Sequence, residues 1–159
     1  MIDNSDLFTL KGKTALITGS SQGIGLALAK GMYNFGAKII LNGRNRNKLD
    51  AVSKTFEKQD HVFKLNFDVN SYKETERSIN NFEQKEGHID ILVNNAGIQF
   101  RSPLENFPEK EFNKLIQTNI ISIFNVSKCV AKFMIKREKG KIINIASVQT
   151  SLARPGIAP

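Results

Sequence analysis

Short apolar runs alternate with amphipathic stretches along this chain, and that alternation limits the possible folds more than any other feature. Thr14 to Thr18 (TALIT), Lys38 to Asn42 (KIILN), Val62 to Phe67, a run within Ile89 to Asn94, and Lys141 to Ile145 each have the length and β-branched content of a strand. The third is the most polar, because Lys64 and Asn66 alternate into it. Helical patterns lie between them. Gly23 to Phe35 places Ile24, Leu28, Met32 and Phe35 on one face, and Gly36 follows where glycine closes helices. Lys48 to Lys58 turns Leu49, Val52 and Phe56 inward. Ser71 with Glu74 three residues on predicts a capping box, and the helix behind it buries Thr75, Ile79 and Phe82. Pro108 opens a long helical region with Glu109 and Glu111 in its first turn, where acids suit the helix dipole. It runs, with a bend, through Leu115, Ile116, Ile123, Phe124, Val130 and Met134 to Gly140.

Strand, helix and strand in succession form right-handed crossovers, so the pattern predicts an α/β fold with a parallel sheet covered on both faces. The 159 residues fit one domain, 1–159, with no repeat, low-complexity tract or linker. In such sheets ligands bind beyond the carboxyl ends of the strands, where the strand order reverses. The informative residues stand there. The first predicted strand runs into Thr18-Gly19-Ser20-Ser21-Gln22-Gly23-Ile24-Gly25. Glycines allow a tight turn and let backbone N–H groups approach a pyrophosphate at the positive end of the following helix.

The spacing T-G-x-x-x-G-x-G resembles the short-chain dehydrogenase/reductase family. The resemblance extends to Asn94-Asn95-Ala96-Gly97 after the fourth strand, to Asn119 in the long helix, and to Ser147 after the fifth strand. It implies a Rossmann-type, three-layer αβα fold and a nicotinamide cofactor, with Gly19, Ser21, Gln22, Gly23, Ile24 and Gly25 around the pyrophosphate. Asp68 matches the family residue that contacts the adenine, with Val69 beside it. Asn95, Ala96 and Gly97 match the loop lining the cofactor, although a buried Asn pair serves equally well as structural hydrogen-bonding groups. Asn119 matches the residue that holds a water in a proton relay; from the pattern alone it is a polar residue bonding locally in a bent helix. Ser147 matches the catalytic Ser whose hydroxyl faces the substrate oxygen, where a donor stabilises developing negative charge.

The end of the second strand selects the cofactor. An acid there would hold a ribose 2′-OH and favour NAD. This chain has Gly43 and then Arg44, with Arg46 and Lys48 close by. A guanidinium pairs by charge and by its donor fork with a 2′-phosphate, so NADP is expected, with NAD as the alternative.

Within the family, Asp6 to Leu10 with Gly12-Lys13, Asn94 to Arg101 with Phe107-Pro108-Glu109, and Ile142 to Pro159 resemble members that interconvert D-gluconate and 5-keto-D-gluconate. A carboxylate substrate calls for a cationic anchor, for which Arg101 and Arg154 are candidates, Arg101 first. The rival readings are a 3-oxoacyl-carrier-protein reductase and a non-catalytic NADP-binding fragment.

In the family a Y-x-x-x-K motif follows the Ser. This sequence reaches Pro159 about where that Tyr is due, and its two tyrosines, Tyr33 and Tyr72, match nothing catalytic. The expectation is therefore the front part of an enzyme: inactive as it stands, missing the C-terminal part of the fold, with its fifth strand an open, aggregation-prone edge. The complete family member would form a homodimer or homotetramer.

A net charge of +8 raises the question of a nucleic-acid or membrane partner. The basic residues are scattered, and the densest group, Lys136, Arg137, Lys139 and Lys141, closes a helix where cations suit the dipole. Neither partner is expected. One cysteine, Cys129, excludes an internal disulfide and suggests a cytoplasmic setting, and no metal site is expected.

Overall fold

The computed structural model describes residues 8–148. Its strands are β1 (Thr14–Ile17), β2 (Lys38–Gly43), β3 (Val62–Asn66), β4 (Ile91–Asn94) and β5 (Lys141–Asn144). They form one parallel sheet in the order β3-β2-β1-β4-β5. The chain winds outward from β1 to β2 and β3, then returns past β1 to β4 and β5. The reversal falls between β1 and β4, and Ile17 is in register with both Leu41 and Val93. Loops leaving the carboxyl ends of β1, β2 and β4 therefore emerge side by side.

Period-two alternation builds the three layers. Ala15, Ile17, Ile39, Leu41, Ile91 and Val93 pack toward Ala29 of α1 (Gly23–Asn34) and Leu49 of α2 (Arg46–Ser53). Leu16, Ile40 and Leu92 point to the other face. They meet Ile79 and Phe82 of α3 (Tyr72–Lys85), and Val126, Cys129, Val130 and Met134 of α5 (Ser122–Lys136). The β1 and β2 side chains between these layers are fully buried, and each large aliphatic one contributes about 1.5–3 kcal/mol of burial.

Three local expectations need correction, and a fourth becomes specific. In α1, Leu28 and Met32 pack against the core as expected, but the fully buried positions are Gly25 and Ala29, while Ile24 (68% exposed) and Phe35 (56%) face outward. The helix approaches the turn before it so closely that a Cβ at Gly25 would stand 2.6 Å from the Gly19 carbonyl oxygen. Only small residues fit that contact, and the stripe rotates accordingly. Helix α2 starts earlier and ends sooner than its apolar pattern suggests. Asn45 caps it by accepting from Lys48 N at 3.0 Å, and Phe56 is buried beyond its end. At α3, Ser71 caps as expected by accepting from Glu74 N at 3.3 Å. Glu74, however, accepts from Asp68 N at 3.1 Å instead of completing the box, so its carboxylate braces the loop after β3. The long helical region is three pieces: α4 (Glu109–Ile116), a π-helical turn (Gln117–Ile121) and α5. The expected bend is this π turn, a feature common at functional sites.

All four residues of β5 are exposed, and among the described residues it pairs only with β4. Among the described residues no helix is long and apolar enough to cross a membrane.

Candidate functional site

A cleft of about 540 Å³ opens over the carboxyl ends of the strands. It is built from the turn after β1 outward. Gly19 (φ +64°) takes the left-handed conformation, and a Cβ there would lie 3.0 Å from the Ala96 Cα, so glycine is required twice over. Ser20 is buried; its Oγ donates to the Ile17 carbonyl at 2.8 Å and accepts from Asn42 N at 2.9 Å. Gln22 precedes α1 without capping it by its side chain. The first-turn N–H groups of α1 thus face the cleft without a side-chain acceptor, as an anion site requires.

Asn42, at the end of β2, organises this wall. It is 1% exposed. Its Oδ1 accepts from Gly19 N at 3.2 Å, and its Nδ2 donates to the Leu65 and Phe67 carbonyls at 3.1 and 3.2 Å. One amide thereby joins the glycine turn to the ends of β2 and β3. Sequence reasoning passed over it. The available signal was an amide directly behind the apolar run Ile39-Ile40-Leu41 in a strand read as buried.

The opposite wall is the loop after β4. Thr18 Oγ1 accepts from the N–H groups of Asn95 (2.9 Å) and Ala96 (3.0 Å) and donates to the Val93 carbonyl at 3.4 Å. Asn95 Nδ2 donates to the Thr18 carbonyl at 2.9 Å. Asn94 Nδ2 donates to Ser127 Oγ and Asn144 Oδ1, both at 2.9 Å. Both amides therefore do structural hydrogen bonding, and Asn95 lines the cleft as well. Asn119, in the π turn, does not bond locally. Its Oδ1 accepts from Ile98 N at 2.9 Å and its Nδ2 donates to the Ile98 carbonyl at 3.0 Å, a two-point clamp on the same loop.

Every residue predicted to hold the cofactor lines this one cleft. Gly19, Ser21, Gln22, Gly23, Ile24 and Gly25 form one side, Arg44 a corner, Asp68 and Val69 the side under β3, and Asn95, Ala96 and Gly97 the far side. The Arg44 guanidinium lies 3.8 Å from the Asp68 carboxylate, in a pair exposed enough to add little stability. The cleft also includes Asn42, Asn70, Lys114 and Thr118, which the sequence reading did not name. Thr118 is recruited by the π turn, and its Oγ1 accepts from Asn70 Nδ2 at 3.0 Å.

Three candidates stand outside the wall. Asn119 lies behind it. Arg101 is exposed on the loop after β4, its guanidinium 3.5 Å from Gln99 Oε1. Ser147 is exposed just beyond β5. Arg154 lies outside the described residues. Neither tyrosine reaches the cleft. Tyr33 Oη accepts from Lys58 N at 2.8 Å, and Tyr72 Oη donates to Glu76 at 3.2 Å. Partial burial first, then Cys129 and Glu76, hold the Tyr72 phenol above its ordinary value. Burial likewise raises the Cys129 thiol. No cluster of metal-ligating side chains occurs among the described residues.

A family model described as short chain dehydrogenase matches residues 13–159. The chain belongs to the short chain dehydrogenase family. It is 48% identical to a gluconate 5-dehydrogenase of Gluconobacter oxydans (strain 621H), across 99% of this chain and 62% of that protein. It is 43% identical to a 5-keto-D-gluconate 5-reductase of Escherichia coli (strain K12), across 98% of this chain and 61% of that protein. Among solved structures it resembles a gluconate 5-dehydrogenase from Burkholderia cenocepacia J2315 in complex with NADP and tartrate. The TM-score is 0.94 at 46% identity, covering 98% of this chain and 62% of that one. The chain thus spans somewhat under two thirds of the length of these dehydrogenases. Their likeness confirms the Rossmann-type α/β fold.

Proposed function

We propose that this chain forms the dinucleotide-binding part, a single domain, of an NADP-dependent oxidoreductase acting on a sugar acid of the D-gluconate/5-keto-D-gluconate type. The observation that carries the reading is the convergence of the glycine turn, Arg44, Asp68 and the Asn95 loop on one cleft. The likeness to dehydrogenases of this substrate class supports the choice of substrate.

When bound, the nicotinamide would supply or accept a hydride at the substrate carbon. The chain's own residues have separate tasks. The backbone N–H groups from Gln22 to Gly25 hold the pyrophosphate, and Arg44 meets the 2′-phosphate. Asp68 and Val69 border the adenine. Asn95, Ala96 and Gly97 set the depth of the far wall, and Asn119 fixes that wall through Ile98. Ser147 donates its hydroxyl hydrogen to the substrate oxygen, and Arg101, with Arg154, attracts the substrate carboxylate. No tyrosine lies in the cleft among the described residues, so these 159 residues by themselves are expected to bind NADP without measurable turnover. The exposed Ile120, Ile121 and Phe124 support self-association through the π turn and α5 in the complete enzyme. The single buried cysteine suits a cytoplasmic setting.

Calorimetric titration tests the reading: NADP+ followed by D-gluconate, and in parallel NADPH followed by a 3-oxoacyl thioester. Binding of NADP+ followed by gluconate is expected. Binding of the thioester with no response to gluconate would replace the sugar-acid assignment with an acyl-carrier-protein reductase.

A further inference from the structure

Asn70 connects two walls of the cleft that lie far apart in sequence. It stands two positions after Asp68, and its N–H donates to the Asp68 carboxylate at 3.0 Å. Its Nδ2 donates to Thr118 Oγ1 at 3.0 Å, across 48 positions of sequence. Both residues line the cleft, together with Asp68 and Val69. Asn42 and Asn119 use both ends of their amides. Asn70 uses one: its Oδ1 is buried without a partner among the described residues. A buried polar atom left unpaired works against stability, so stability alone does not account for an amide held at Thr118.

The π turn gives that contact a consequence. Thr118 is 6% exposed and is held from two sides. Asn70 fixes its side chain, and Ser122 Oγ donates to its carbonyl one turn on. Asn119 follows directly, inside the same turn (Gln117–Ile121). Its amide clamps Ile98 N and the Ile98 carbonyl at 2.9 and 3.0 Å. The clamp has little freedom, because a Cβ at Gly97 would stand 3.3 Å from Asn119 Oδ1. Rotation of the π turn about its axis would carry Thr118 and Asn119 together. A donor that fixes the first therefore sets the position of the second.

We propose that Asn70 is a positioning residue: through Thr118 it sets the rotation of the π turn, so that Asn119 holds the Ile98 loop in place. The two ends of the cleft are thereby coupled, and a ligand resting on Asp68 and Val69 tightens the loop at Ile98. That ligand response rests on the cofactor reading above; the link from Asn70 to Ile98 is measured without a ligand. Amide hydrogen exchange at Ile98 is followed in this chain and in Asn70→Ala, Thr118→Val and Thr118→Ser, with circular dichroism to check folding. Asn70→Ala and Thr118→Val are each expected to speed exchange at Ile98 about threefold, although neither residue touches it, with β1 and β4 unchanged. Thr118→Ser, which keeps the hydroxyl, restores the slow rate. In an Asn119→Ala background, Asn70→Ala adds nothing further at Ile98, because the clamp it acts through is gone. The adenosine-end probe 2′,5′-ADP is expected to slow exchange at Ile98 in the unsubstituted chain and to bind Asn70→Ala without that response. Unchanged exchange at Ile98 in Asn70→Ala overturns the proposal and leaves the cofactor reading standing. Equal acceleration at Ile98, β1 and β4 reduces Asn70 to a general stabilising contact and also overturns it. A chain that does not bind 2′,5′-ADP overturns the cofactor reading, while the ligand-free rates still decide the role of Asn70.

Discussion

At the amino end of β4 the buried polar groups are charged; at the carboxyl end of the same sheet they are neutral. Glu83 of α3 has a side chain only 1% exposed, yet it is fully engaged. It accepts from Arg137 at 2.7 and 3.2 Å and from Ile89 N at 3.0 Å, with His88 Nδ1 at 3.2 Å. Arg137 also donates to the Ile89 carbonyl at 3.1 Å, tying the end of α5 to the approach to β4. Charge is spent on charge there, and nothing is left for a ligand. At the carboxyl end, Thr18, Asn42, Asn95 and Asn119 satisfy partly buried backbone groups with neutral side chains. The cations that line the cleft, Arg44 and Lys114, stand in exposed pairs with Asp68 at 3.8 Å and Glu111 at 3.7 Å. A charged cluster serves to lock elements together. A neutral network can hold a site open in shape while its charges stay in loose, exposed pairs.

Substitutions at the two ends test that contrast. The largest expected effect is at the amino end. Glu83→Ala leaves the Arg137 guanidinium without its carboxylate and should destabilise the chain by about 3 kcal/mol in urea denaturation, with dinucleotide affinity retained wherever the chain is folded. If affinity collapses in step with stability, the two ends are not independent. At the carboxyl end, Asn42→Ala strands the Gly19 N–H and two carbonyls in a buried setting. It should destabilise by about 2 kcal/mol and also weaken dinucleotide binding, since the turn loses its anchor. A loss of stability with unchanged binding would show that Asn42 serves the sheet and not the site. The smallest effect belongs to Asn119→Ala, at about 1 kcal/mol, because the Ile98 groups it frees are only partly buried. Its signature is local: faster amide hydrogen exchange at Ile98, with protection in β1 and β4 unchanged. Protection unchanged at Ile98 would mean that the clamp does not hold the loop.

The strands and their parallel arrangement were legible because each follows from local order, whereas Asp68, Val69 and Asn95 to Gly97 were expected at the cleft only through the family resemblance. Apolar runs of strand length, separated by helical periods, leave few topologies. A glycine turn behind the first strand identifies the end where a ligand binds. The errors have a common cause. Of the α1 stripe, Leu28 and Met32 pack on the core, but Ile24 and Phe35 do not, and Gly25 and Ala29 make the closest contact. Hydrophobic periodicity reports which face is apolar, and here backbone proximity decided which face fits. Glu74 matched a capping box, and the nearby Asp68 N–H claimed its carboxylate. For Asn119 the alternative reading of a locally bonded helix residue fails in the same way, since its partner lies 21 positions away.

By itself, then, the order of residues determined the alternation of strand and helix, the glycine turn, and the presence of Arg44 where a second strand ends, because these depend on neighbours within a few positions. Only the tertiary structure decided that Asn42 would join three segments, that the long helix would break into a π turn at Asn119, and that Lys48 would lean toward Gln22. Those outcomes are settled by which buried N–H or carbonyl, or which exposed charge, comes within reach once the sheet has brought distant segments together. Each polar group then takes the partner that folding supplies.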